Sequence, residues 1–215
     1  MSKAKFITLW IILFIISICL GGTAGALLFP HSSEKVIILK PSPVPFTMVK
    51  SSNVNGVVTI IEFFDLQCPF SARNHLVLNE LIRKNQANYK CFYLSYPLSI
   101  HEHAQSLAKA VIAADMQGKA NELKSTIYRR QSLFTSTPDI EELTLLCAKE
   151  CSLNVEKWAI DKNSEVVNLQ LENEIQEGLR QKVSATPTTF INGYGVNGAQ
   201  SLAVYEQIIE YLKNK

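Results

Sequence analysis

The chain has 215 residues, 47% of them hydrophobic and 19% charged, with a formal net charge of +2. That length suits one folded unit with a targeting segment and excludes two full domains. The near-balanced charge gives no electrostatic case for nucleic acid or an anionic partner, and neither a paired CxxC zinc motif nor a phosphate loop is present.

From Phe6 to Phe29 no residue is charged, and Lys3 and Lys5 flank the run on its amino side. About 20 apolar residues are what a helix needs to cross a bilayer. The two lysines favour the cytoplasmic side, so residues 1–30 read as a single-pass anchor in the inner (cytoplasmic) membrane, spanning at 6–29 with the rest of the chain outside. The small residues from Gly21 to Ala26 also allow a cleaved signal and a secreted product. Cys19 follows the bulky Ile18, which argues against lipid modification. Both readings put the folded part in the periplasm or an equivalent space, where disulfide chemistry is possible. Residues 31–55, with Pro41, Pro43 and Pro45, read as an extended linker. Within them Val36-Ile37-Ile38-Leu39 could add a short strand at the domain edge.

The folded domain is expected over 56–215. Val57 to Phe64 is a nearly continuous β-branched and aromatic run, the pattern of a strand buried on both faces. Cys68-Pro69 then opens a helix to about Lys84, with Leu76, Leu78, Leu81 and Ile82 as its apolar positions and the proline suited to the first turn. Tyr89 to Tyr96 is a second strand, and the strand-helix-strand order implies a right-handed crossover to a parallel neighbour. A helical insert follows over about 100–165, broken at Gln117-Gly118. A helix over 166–182, with Leu171, Ile175 and Leu179 at i+4 spacing, leads to the strand Thr188 to Ile191 and the hairpin signal Asn192-Gly193. The last helix, 199–213, aligns Leu202, Tyr205, Ile208, Ile209 and Leu212 on one face.

Four segments in this order carry a resemblance. They are Ile61-Glu62-Phe63-Phe64-Asp65-Leu66-Gln67-Cys68-Pro69-Phe70-Ser71, then Tyr93-Leu94-Ser95-Tyr96-Pro97-Leu98 with His101. Ala113-Ala114-Asp115-Met116-Gln117-Gly118-Lys119 is the third, and Val183-Ser184-Ala185-Thr186-Pro187-Thr188-Thr189-Phe190-Ile191-Asn192-Gly193 is the last. Together they resemble the DsbA-like thiol-disulfide oxidoreductases, from about Val57 to the carboxyl end. The resemblance implies an α/β thioredoxin fold with an inserted α-helical subdomain, preceded here by the transmembrane helix. It implies Cys68 as nucleophile and Pro187 as a cis-proline facing it, with Pro69, Phe70, Thr186 and Pro187 on the substrate side. No metal or cofactor is implied. Glu62 matches an acidic residue that some members bury below the active site as a proton carrier; a solvent-facing strand glutamate is the other reading. Kappa-class glutathione transferases share the architecture, but they carry serine where Cys68 stands and lack an export segment.

A thiol at a helix amino terminus faces unpaired N–H groups and the positive end of the helix dipole, which favour the thiolate. Ser71 departs from the family's CxxC: a hydroxyl cannot resolve a mixed disulfide. Three outcomes stay open. Cys68 works alone on cysteine-containing exported proteins, with a low-molecular-weight thiol or redox partner resolving the complex. Alternatively another cysteine of the chain resolves it, or turnover is lost and a peptide-binding, chaperone-like module remains. Cys91 reads as a small buried residue in mid-strand. Cys147 and Cys151, at i and i+4, are close enough for a structural disulfide. His101 reads as structural and His103 as solvated.

Overall fold

The structure is a computed structural model that describes residues 57–84, 88–135 and 139–213. The anchor at 6–29, the linker and the strand at Val36 to Leu39 lie outside the described residues. Among the described residues no helix is long and apolar enough to cross a membrane.

Strand β1 (Val58–Phe64) is buried at every position, as its unbroken apolar run requires. Helix α1 (Pro69–Lys84) follows, then β2 (Tyr89–Ser95), parallel to β1. The insert comprises α2 (Ala104–Asp115), α3 (Ala120–Arg129), a 3-10 turn (Leu133–Thr135), α4 (Ile140–Glu150) and α5 (Val155–Lys162). Helix α6 (Glu165–Arg180), the hairpin β3 (Thr188–Ile191) with β4 (Tyr194–Asn197), and α7 (Leu202–Lys213) complete the domain. The sheet order is β2-β1-β3-β4, with β3 antiparallel to both β1 and β4.

Local chemistry sets the joints. Asn192 and Gly193 take φ of 47° and 85°, the left-handed pair that a two-residue hairpin turn needs. The same Asn192 ties the hairpin to β1: its Oδ1 accepts from Thr59 N at 2.8 Å, and its N donates to Thr59 O at 2.9 Å. Gly118, with φ of 67°, ends the α2 turn where Gln117-Gly118 marks a break. Gly178 lets α6 approach the sheet, since a Cβ there would lie 2.4 Å from the Tyr96 ring. That ring cannot easily yield, because its hydroxyl donates to Val183 O at 3.0 Å and its edge meets Phe63.

One core packs Phe64 and Leu66 against apolar faces of the insert, including Leu107, Leu123, Phe134 and Trp158. A second gathers Ile61, Phe63, Leu94, Val183 and Phe190 on the opposite side of the sheet. Two helical expectations need correction. On α1, Leu78 and Leu81 are buried but Leu76 is 69% exposed, while the polar Ser71, Asn74 and His75 turn inward. On α6, Leu179 is exposed, and the buried stripe runs through Val167, Leu171 and Gly178.

His75 Nε2 lies 2.8 Å from Ser125 Oγ and 3.0 Å from Asn79 Nδ2, joining α1 to α3. Burial, assisted by the charge of Lys124, pushes its imidazole down to about 3 from 6.5. The unfolded chain therefore takes up a proton below pH 6.5 that the folded chain refuses until about pH 3. Stability from His75 is complete above the upper value and is lost as pH falls toward the lower, at up to about 1.4 kcal/mol per pH unit. In denaturant titrations, the advantage of wild type over His75→Gln should shrink steadily from about pH 7 to about pH 4. A pH-independent difference would contradict this assignment.

Candidate active site

Strand β1 ends at Phe64, and the next four residues turn the chain into α1. Asp65 governs the turn. Its Oδ1 accepts from Gln67 N at 2.8 Å, the local bond of an Asx turn. Its Oδ2 accepts from Leu98 N at 2.8 Å and lies 2.8 Å from His101 Nδ1. The backbone then closes, with Cys68 N donating to Asp65 O at 3.2 Å and Ala72 N to Cys68 O at 3.2 Å. Cys68 thus occupies the cap position of α1, where the first-turn N–H groups lack intrahelical partners.

The nucleophile candidate is recessed, at 5% exposure. Its thiol donates to Thr186 O at 3.2 Å, and the Thr186-Pro187 peptide is cis, as the family resemblance implied. Thr186 and Pro187 are buried against Cys68, whereas Pro69 and Phe70 are exposed beside it, with Arg73 5.4 Å over the Phe70 ring. Ser71 is fully buried, and its Oγ accepts from Asp65 N at 3.3 Å. The position of the second thiol in a CxxC is therefore held by a hydroxyl bonded to the turn.

Beneath this turn Glu62 is fully buried, which removes the solvent-facing reading. Its Oε1 accepts from Asn74 Nδ2 at 2.7 Å, and Asn74 Oδ1 accepts from the Tyr205 hydroxyl at 2.8 Å. Lys124 Nζ, equally buried, lies 3.7 Å from Glu62 Oε2 and 3.2 Å above the centre of the Tyr93 ring. Burial raises Glu62 above the ordinary carboxyl range, opposed by the Lys124 charge. The same burial lowers Lys124 to about 8, opposed by Glu62. Sequence reasoning missed this lysine, as it missed Asp65 as organiser; an Asp directly after a buried strand and three residues before Cys-Pro was the available signal for the latter.

Three further cysteines are described. Cys91 is paired with Ile60, four rungs below Phe64 and so roughly 13 Å down the strand. It is only half-buried, and burial pushes its thiol up to about 12. Cys147 and Cys151 are free thiols and not a disulfide. Cys147 is packed in the insert core, and Cys151 Sγ donates to Thr126 Oγ1 at 3.4 Å. His101 holds Asp65, in keeping with a structural role; His103 is partly covered, its N donating to Gln67 Oε1 at 2.6 Å. A cavity of about 560 Å³, between β2, α2, α3 and α6, is lined by Cys91, Tyr93, Lys124 and Glu174 but not by Cys68. Among the described residues no group of three or more His, Cys, Asp or Glu is placed to hold a metal ion.

Removing one member of a buried ion pair strands the other. Lys124→Met should lower stability by about 3 kcal/mol in urea titrations near neutral pH, and adding Glu62→Gln should return most of it. A single variant within about 0.5 kcal/mol of wild type would refute the pairing.

The thioredoxin family model matches residues 53–211. A thioredoxin-like oxidoreductase from Silicibacter pomeroyi shares 21% identity, with a TM-score of 0.64 over 76% of this chain and 91% of that one. The thiol-disulfide exchange protein alpha-DsbA2 from Wolbachia pipientis shares 18%, with a TM-score of 0.60 over 75% and 84%. DsbA from Xylella fastidiosa shares 17%, with a TM-score of 0.62 over 75% and 89%. At these identities the likeness establishes the fold. A Na(+)/H(+) antiporter NhaA 1 from Salinispora arenicola is 24% identical over 147 residues, and the chain spans only 22% of its length. With the family match running from ahead of β1 into α7, and a cis-proline set against a cysteine at a helix start, the chain belongs to the thioredoxin family.

Proposed function

We propose that this protein is a monothiol disulfide-exchange enzyme, acting on cysteine-containing exported proteins from the outer side of the membrane in which residues 6–29 anchor it. The observation that carries the reading is the Cys68 thiol at the start of α1, 3.2 Å from the carbonyl of Thr186 beside the cis-proline. An extended substrate lying along Thr186 and the exposed Pro69 and Phe70 would present its disulfide to Sγ.

The chemistry balances without a cofactor. The Cys68 thiolate attacks one sulfur of a substrate disulfide, that S–S bond breaks, and the departing substrate thiolate takes up a proton. A mixed disulfide joins Cys68 to the substrate. Ser71 cannot break it; Cys91 lies roughly 13 Å down β2, Cys147 is enclosed in the insert core and Cys151 Sγ is bonded to Thr126 Oγ1, so in this reading none of them serves as the resolving thiol. A second thiolate must come from outside. When the substrate's own cysteine attacks, the net result is isomerisation; when glutathione or a redox partner attacks, the disulfide passes to that thiol. Glu62, raised by burial below the turn, is proposed as the group that carries the proton between steps.

The test is the recovery of activity by scrambled ribonuclease in a glutathione buffer, with full-length wild type and Cys68→Ala compared. Wild type should accelerate recovery, Cys68→Ala should fall to the uncatalysed rate, and Glu62→Gln should lie between them. Equal recovery with wild type and Cys68→Ala would favour a peptide-binding module without turnover.

A further inference from the structure

The carbonyl groups of the turn that delivers Cys68 are held by two side chains of the insert. Asp65 O is approached by the Tyr128 hydroxyl at 3.4 Å. Gln131, in the turn after α3, donates through Nε2 to Leu66 O at 2.8 Å and to Cys68 O at 3.0 Å. A carboxamide has two N–H donors, and both are committed here.

Resting on the reading of Cys68 as the exchanging nucleophile, we propose that Gln131 is a positioning residue for it: its amide bridges the Leu66 and Cys68 carbonyls and so aims the thiol at the peptide-binding side of the site. The two carbonyls bracket Gln67 and Cys68. Holding both peptide planes limits the four dihedrals between them, φ and ψ of Gln67 and of Cys68, and these, with χ1 of Cys68, set where Sγ points. Cys68 O already receives Ala72 N at 3.2 Å, so the Gln131 bond is a second one on the same oxygen and anchors the helix start sideways, toward the insert. Gln67 reinforces the arrangement through Nε2 to Phe134 O at 3.3 Å, yet that bond holds a side chain and not the backbone of Cys68. Peptide dipoles act in the same sense. Carbonyl oxygens are the negative ends of the turn's peptide groups, and donors drawn from the insert offset that charge next to a sulfur that must become a thiolate. Gln131 does not touch the thiol, so its effect is on rate and not on substrate affinity.

The test uses full-length protein, with Gln131→Met retaining the length but no donor. Gln117→Met is the control, because Gln117 makes a comparable two-bond tie to the Asn154 backbone inside the insert, remote from Cys68. Cys68 alkylation by iodoacetamide, followed by peptide mass, should slow about tenfold in Gln131→Met and remain at the wild-type rate in Gln117→Met. In the exchange assay kcat should fall with KM unchanged, and the two variants should melt within about 3 °C of each other. Where methionine perturbs folding, Gln131→Ser, too short to reach either carbonyl, should show the same slowing. Gln131→Met alkylated within twofold of wild type would overturn the proposal, as would equal slowing in Gln117→Met. Alkylation reads Cys68 directly, so the outcome holds even if wild type exchanges no disulfides.

Discussion

A buried carboxyl group must collect hydrogen bonds, and the way Asp65 collects them organises this site. With its side chain shut off from water, it would cost several kcal/mol if left unpartnered. Its partners are Gln67 N in the same turn, Leu98 N after β2, and His101 at the start of the insert. The sheet end, the crossover and the insert are thereby fixed to one another within three residues of Cys68. The backbone of Asp65 serves too, its carbonyl receiving Cys68 N and its N–H reaching Ser71.

From that constraint follows the character of the nucleophile. Cys68 is built into a rigid turn, with Thr186 O as its near polar neighbour and a hydroxyl where a resolving thiol would stand. The sheet register keeps Cys91 far down β2, and the insert core encloses Cys147. In the proposed mechanism such a site forms a mixed disulfide and leaves its release to a thiol from outside the described domain. Tyr128, Gln131 and Phe134 all reach the turn, so the insert, interposed between β2 and α6, is bonded to the backbone and side chains around the thiol.

Much of the fold was legible because its signals are local. The unbroken apolar run of β1, the proline at the head of α1 and Asn192-Gly193 each encode a conformation within a few residues. What escaped is set by distant partners. Leu76 and Leu179 look like core residues by spacing, but the faces of α1 and α6 are fixed by what opposes them; on α1 a polar network through Asn74 and Tyr205 takes the inward side. Lys124 reads as an ordinary surface lysine until α3 is laid over β1, where Glu62, 62 residues earlier, neutralises it. The Cys147 and Cys151 spacing permitted a disulfide, and only the packed helix shows Cys151 directed at Thr126.

The central claim is that Cys68 reacts and that its release comes from outside the domain. It is tested most directly by intact-mass analysis of the full-length protein after mixing with a peptide that carries a single cysteine, supplied as its mixed disulfide with a small aromatic thiol, before and after glutathione is added. A covalent adduct confined to Cys68, persistent alone and lost on addition of glutathione, is the expected result. An adduct that clears without added thiol while Cys68 pairs with another cysteine of the chain, or the absence of any adduct, would contradict the account.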